Sequence, residues 1–250
     1  PESVKKKISK NTKAIIHNHF CGYPGYIDEI NEIGRHYGIP VIDDGIEAFG
    51  SIYKGKMVGN CGADITIFSF NAVRIPNTID GGAVVIRDKG MIKKAEMVRD
   101  CGIDRSVFRD ELGEIRPECD ITLTGHSATM SNVNAYIGIQ QMNCMENILK
   151  RQRRQAGIWI KELECENDIQ VINRNEITPN YWVFGTLVRD KRKTIINYRN
   201  KGWYASGVHI NNNVYSIFGK QDELPGVNEF YAHYVALPCG WWVDKGENIG

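Results

Sequence analysis

The chain has 250 residues, enough to bury one large core or two modest ones. Its apolar share of 42% and charged share of 24% are ordinary for a globular protein. With 31 basic against 30 acidic residues the net charge is +1, which argues against a nucleic-acid partner and an anionic membrane surface.

At the start, Lys5-Lys6-Lys7 reads as the solvated face of a helix. Ala14 to His19 is a short apolar run that suits a buried strand. Ile27 to Tyr37 has helical spacing, with Ile27, Ile30 and Ile33 on one side, Asp28 near its start and Gly38-Ile39-Pro40 as its stop. Val41 to Asp43 reads as the next strand. Strand, helix and strand joined by short loops predict a parallel α/β sheet. Ile65 to Phe70 and Ala83 to Ile86 supply two more strands, followed by the turn Arg87 to Gly90 and a helix from Met91 to Arg99. Cys101 to Thr129 is long and irregular, the kind of segment that crosses between subunits or serves a site. Two helices are expected next, Asn132 to Gln141 and Glu146 to Leu163. The second exposes a basic patch of Lys150, Arg151, Arg153 and Arg154. From Ile169 the pattern turns to short strands and one helix, with a strand over Tyr181 to Val188 and a helix over Lys191 to Lys201 closed by Gly202. The expected division is a large domain over residues 1–150 and a smaller α/β domain over 151–250.

Seven cysteines are scattered, with no Cys-x-x-Cys pair and no Cys/His cluster at metal spacing. That pattern predicts reduced thiols in a cytoplasm and no metal site. No run reaches the roughly 18 apolar residues of a membrane helix, and no secretory signal is legible. Pro1 in place of Met, and the polar stretch Asp244 to Gly250, read as cut ends.

The most informative stretch is Ser69-Phe70-Asn71-Ala72-Val73-Arg74, ending in Asp80-Gly81-Gly82, with Val41-Ile42-Asp43-Asp44 upstream. It resembles the cofactor site of the DegT/DnrJ/EryC1/StrS aminotransferases, pyridoxal-phosphate (PLP) enzymes of fold type I acting mostly on keto sugars carried by nucleotides. In that family the segment reads Ser-Phe, three residues, the PLP-binding lysine, and later an acidic residue and Gly-Gly. Further matches span nearly the whole chain. His19-Phe20-Cys21-Gly22 is similar to the family's His-Leu-Tyr-Gly. Glu47-Ala48-Phe49-Gly50 and the hairpin Tyr53-Lys54-Gly55-Lys56 are similar to the segments after its second strand. Gly125 and Met130 lie within its Gly-Tyr-Asn-Tyr-Arg-Met, and Leu237 to Trp242 resembles a C-terminal segment of some members. The family's N-terminal third, which supplies a phosphate-binding turn and a ring-stacking aromatic, has no counterpart here.

The resemblance implies a mostly parallel sheet flanked by helices, a small C-terminal α/β domain, and PLP or its aminated form PMP as cofactor. Asp44 would face the pyridine nitrogen, or else simply cap a following helix. Ser69 would bond the cofactor phosphate, or be an ordinary strand-end hydroxyl. Glu47 occupies a position, commonly Gln, near the ring's phenolic oxygen, unless it is merely solvated. Ser127 stands where the family has an Asn that reaches the phosphate across a dimer. His19 and His209 would lie on the substrate side, although a lone His is as often structural.

Arg74 stands at the lysine position. A guanidinium stays charged and has no lone pair to offer, so it neither forms the imine with PLP nor acts as a base near neutrality. No lysine lies between Lys56 and Lys89 to replace it. The implied activity is amino transfer from glutamate to a nucleotide-linked keto sugar, with a homodimer or partner subunit completing the site. The alternative is an inactive homologue or fragment that binds a nucleotide sugar or completes a partner's site.

Overall fold

A computed structural model describes residues 1–243; the polar end from Asp244 lies outside the described residues. In chain order the elements are α1 (Glu2–Lys7), β1 (Ile15–Asn18), α2 (Ile27–Tyr37), β2 (Val41–Asp44), β3 (Ile52–Tyr53), β4 (Lys56–Met57), β5 (Ile65–Ser69), β6 (Gly82–Ile86) and α3 (Ile92–Arg99). Then come α4 (Asn132–Leu163), β7 (Ile169–Val171), β8 (Ile177–Thr178), β9 (Phe184–Val188), α5 (Lys191–Asn200), α6 (Pro225–His233) and β10 (Tyr234–Leu237). The chain divides into two units. The first comprises Pro1–Asn18, Tyr26–Ile46 and Gly59–Asn143; the second comprises His19–Gly25, Glu47–Val58 and the chain from Cys144 onward.

The first unit is built on a sheet of order β1-β2-β5-β6. β1, β2 and β5 run parallel, and β6 returns antiparallel to β5. The parallel order expected from strand, helix and strand is therefore present. Helix α2 packs on β1 and β2. Its Ile30 and Ile33 join Ile15 and Val41 in one buried cluster, because residues three apart share a helical face. Asp28 and Glu29 in its first turn and Arg35 and His36 in its last turn oppose the helix dipole. The lysines of α1 are solvated, as read.

Residues 132–163 differ from expectation. They form one helix of 32 residues rather than two. The junction Met142-Asn143-Cys144-Met145 holds neither proline nor glycine, so weak propensity there does not end the ladder. The second half buries Met145, Ile148, Leu149, Gln152, Ala156, Trp159 and Leu163 at helical spacing. Of the basic patch, Lys150, Arg151 and Arg154 are exposed. Arg153 turns inward instead and donates to the carbonyls of Gly50 (2.7 Å) and Pro179 (3.3 Å), both in the second unit.

The second unit contains an antiparallel sheet of order β10-β9-β7 and a small sheet of order β4-β3-β8. Its main core gathers Trp159, Phe184, Val188, Tyr198, Val235, Leu237 and Cys239. Trp159 is 2% exposed, yet its indole N–H donates to the Pro238 carbonyl at 2.8 Å, so the burial strands no donor. α5 packs on β10 and α6 on β9.

Candidate functional site

Asn18, Asp44 and Ser69 close the three parallel strands of the first unit, and Asn18 and Asp44 sit in register. The carboxyl edge of a parallel sheet is where α/β folds bind ligands, because the strand-to-helix turns leave a crevice there. Strand alternation separates the two acids of β2. Asp43 is fully buried beside His17, with Nδ1 and Oδ1 3.2 Å apart. Asp44 is half-buried. Its Oδ2 accepts from the Asn18 side chain at 2.8 Å and its Oδ1 from the Ile46 N–H at 3.2 Å. The second bond makes an Asx turn. No helix begins after β2, so the helix-cap alternative for Asp44 is not what the chain builds. Asn18, which orients the carboxylate, escaped the sequence reading; its pairing with Asp44 across parallel strands was the only signal for it.

Ser69 is half-buried at the end of β5, and its Oγ accepts from the Asn71 N–H at 3.3 Å. A hydroxyl that accepts one bond can still donate its own hydrogen. The turn after it is braced from within. Phe70 N–H donates to the Gly81 carbonyl at 2.9 Å, Thr78 N–H to the Phe70 carbonyl at 2.8 Å, and Asn77 Nδ2 to the Ala72 carbonyl at 2.9 Å. Arg74 lies half-buried inside this turn. Gly81 has φ 133°, a left-handed value, and a Cβ there would collide with Met130 Cε. At Gly82 a Cβ would sit 2.5 Å from the Phe68 carbonyl oxygen. The Asp80-Gly81-Gly82 motif is thus a steric requirement of the turn.

Ser127 is exposed at the base of the long loop, bridged to Asp100 at the end of α3. Asp100 pairs with Arg99 (3.0 Å) and Arg105 (3.3 Å), and these guanidinium partners, Arg99 first, hold its carboxyl below the usual range.

In the second unit, Glu47 is buried rather than solvated. Its Oε2 accepts from the Cys21 N–H at 2.7 Å and its Oε1 lies 3.0 Å from His209 Nε2. The His209 ring stacks on Trp182 and meets the edge of Phe20. Beneath them Asn180 donates to the carbonyls of Glu47 (2.7 Å) and Phe49 (3.0 Å), and its own N–H reaches Ser51 Oγ, which donates to the Gly22 carbonyl. His19 is fully buried, with Nδ1 accepting from the Gly25 N–H at 3.3 Å. The buried ring is thus tied to the loop that it opens. Donor atoms of Cys21, Glu47 and His209 all lie within 4.8 Å of one another. They are 26 and 162 residues apart, beyond any spacing motif.

Three comparisons bear on these geometries. The profile of the DegT/DnrJ/EryC1/StrS aminotransferase family matches residues 1–247. The sugar aminotransferase CalS13 of Micromonospora echinospora superposes with a TM-score of 0.89 at 25% identity, covering 98% of this chain and 67% of that one. AtS13 of Actinomadura melliaura superposes at 0.88 and 28% identity, covering 98% and 66%. The uncharacterized protein MJ1066 of Methanocaldococcus jannaschii is 36% identical over 163 residues, which are 65% of this chain but 42% of that protein. The fold is that of the PLP-dependent sugar aminotransferases: a mixed α/β architecture with a parallel-dominated sheet flanked by helices. The chain belongs to the DegT/DnrJ/EryC1/StrS aminotransferase family. It spans about two thirds of the length of the solved relatives and less than half of MJ1066.

Membership implies PLP or PMP, and the residues fit that group in part. Asp44 is a held carboxylate with acceptor capacity to spare, and Ser69 keeps a donor hydrogen. Position 74 does not fit the covalent role, since it is a guanidinium.

Proposed function

We propose that the chain is the cofactor-binding part of an aminotransferase that acts on a nucleotide-linked keto sugar with glutamate as amino donor. The observation that supports this reading is the placement of Asp44 and Ser69 at the carboxyl edge of the parallel sheet, beside the steric Gly81-Gly82 turn. When bound, the cofactor supplies an electron-poor ring that accepts charge from the substrate carbon. Asp44 holds the ring nitrogen protonated through a charge-assisted hydrogen bond, and Asn18 keeps that carboxylate aimed. Ser69 donates to the phosphate. Arg74 binds an anion, so the cofactor is held without a covalent bond. Glu47 and His209 form a fixed acid–imidazole pair in the second unit, and His209 takes the substrate side.

We further propose a homodimer, in which Ser127 donates to a partner's phosphate. Four apolar residues stand exposed along the first half of α4, namely Val133, Tyr136, Ile139 and Met142, and they support such an assembly. The seven cysteines, none of them in a disulfide, support a reducing, cytoplasmic setting. Among the described residues no helix is long and apolar enough to cross a membrane. The second reading, a homologue that binds but does not turn over, is favoured by Arg74 alone; the family relationship favours the first.

The test is release of 2-oxoglutarate from glutamate in the presence of PLP and a nucleotide-linked keto sugar. The expected result is activity in Arg74→Lys that exceeds the native chain by at least ~1000-fold, about 4 kcal/mol of barrier. Equal activity in the two chains removes the limiting role of Arg74. No activity in either removes the donor assignment.

A further inference from the structure

We propose that Cys21, Glu47 and His209 form a three-ligand site for a divalent cation of the zinc type. Their donor atoms lie within 4.8 Å of one another, and His209 Nε2 is 3.0 Å from Glu47 Oε1. Zinc bonds of about 2.0–2.1 Å to N and O place two tetrahedral ligands roughly 3.3 Å apart, so that pair is already at coordination distance. The Cys21 sulfur lies within 4.8 Å of both, and on binding it closes to the roughly 3.6 Å that tetrahedral Zn–S and Zn–N bonds require.

The chemistry of the set points the same way. A thiolate, an imidazole and one carboxylate select a borderline metal such as Zn2+ or Co2+ over Mg2+ or Ca2+, which prefer oxygen alone. Each ligand is also held by its surroundings, as metal ligands are. Glu47 is fixed through Oε2 by the Cys21 backbone N–H. The His209 ring is stacked on Trp182 at an interplanar angle of 15°. Cys21 has φ 55°, a left-handed conformation unusual for a residue with a side chain. The turn that imposes it is pinned: Ser51 Oγ donates to the Gly22 carbonyl at 2.7 Å, and a Cβ on Gly22 would strike Asn180. Strained backbone that the surroundings over-determine is a mark of a functional turn. Cys21 and Glu47 are buried, while the His209 side chain is 45% exposed, so an ion enters from the His209 side. On binding, the Cys21 thiol proton passes to solvent, and His209 Nε2 and a Glu47 carboxylate oxygen turn their lone pairs to the cation. Three protein ligands leave the fourth position to water, the open kind of zinc site.

The inference deepens the substrate-side reading of His209, and its test reads metal rather than turnover, so either can fail alone. The chain is stripped with a chelator and titrated with Co2+, with Zn2+ as competitor. The expected result is one Co2+ per chain, a thiolate-to-cobalt charge-transfer band, and displacement by Zn2+. Cys21→Ser should abolish the band. His209→Ala should weaken binding at least tenfold while circular dichroism stays native, since His209 is half exposed; this variant decides the matter where Cys21→Ser fails to fold. Absence of saturable binding overturns the proposal. So does a band that survives Cys21→Ser, because the exposed Cys101, Cys144 and Cys165 would then hold the metal.

Discussion

Arg74 and Asp44 pull the chemistry of one sheet edge in different directions. In the proposed site the carboxylate would hold a pyridinium, and the guanidinium has no free pair with which to bond the cofactor's aldehyde. Replacing Asp44 by Ala removes a charge-assisted bond, so PLP or PMP affinity should drop about tenfold or more, near 1.5–3 kcal/mol. Equilibrium titration checks this; unchanged affinity removes Asp44 from the cofactor. A second prediction concerns the thiols. Burial pushes the Cys239 thiol up to about 12, because the charged form loses its water. At pH 8 it therefore stays a neutral thiol and a poor nucleophile. A thiol-reactive disulfide should label Cys101, Cys144 and Cys165 and leave Cys239 untouched until the chain unfolds, as peptide mapping would show. At this scale the strand-end positions of Asp44 and Ser69 were legible in the apolar runs before them, and their proposed roles rest on the family resemblance. The Cys21, Glu47 and His209 grouping was not, since only tertiary folding joins residues 162 apart.

At the scale of elements, local chemistry set most boundaries. α2 spans Ile27–Tyr37 as its isoleucine spacing and Gly38-Ile39-Pro40 stop predict. The strands at 41–44, 65–69 and 82–86 fall within a residue or two of their apolar runs. α4 is one helix where two were expected, because nothing between Gln141 and Glu146 ends the backbone ladder. Arg153 was misread because helix face alone does not show a carbonyl waiting at Gly50. The turn after β5 offers a direct test. Gly81→Ala forces a side chain into a left-handed φ and against Met130, and should cost about 2 kcal/mol. A lowered urea midpoint at unchanged slope checks it, whereas an unmoved midpoint would show that the turn relaxes freely. Trp159→Ala empties the centre of the second unit's core and should cost about 3–5 kcal/mol by the same measurement.

At the scale of the whole molecule, the family frame covers the chain while the central amine is replaced. The proposed dimer predicts that light scattering at tens of micromolar, an order of magnitude above ordinary dimer affinities, gives twice the chain mass. Ile139→Asp on the exposed stripe of α4 should then shift the protein toward monomer; a native chain that runs as a clean monomer contradicts the assembly. The central claim is that this site holds its cofactor without a covalent bond because residue 74 is arginine. The most direct measurement is intact mass and peptide mapping after incubation with PLP and borohydride reduction, on the native chain and on Arg74→Lys. The predicted result is no stable site adduct on the native chain and one reduced adduct on residue 74 of the variant. A stoichiometric adduct on a native lysine, or none on Lys at position 74, would contradict it.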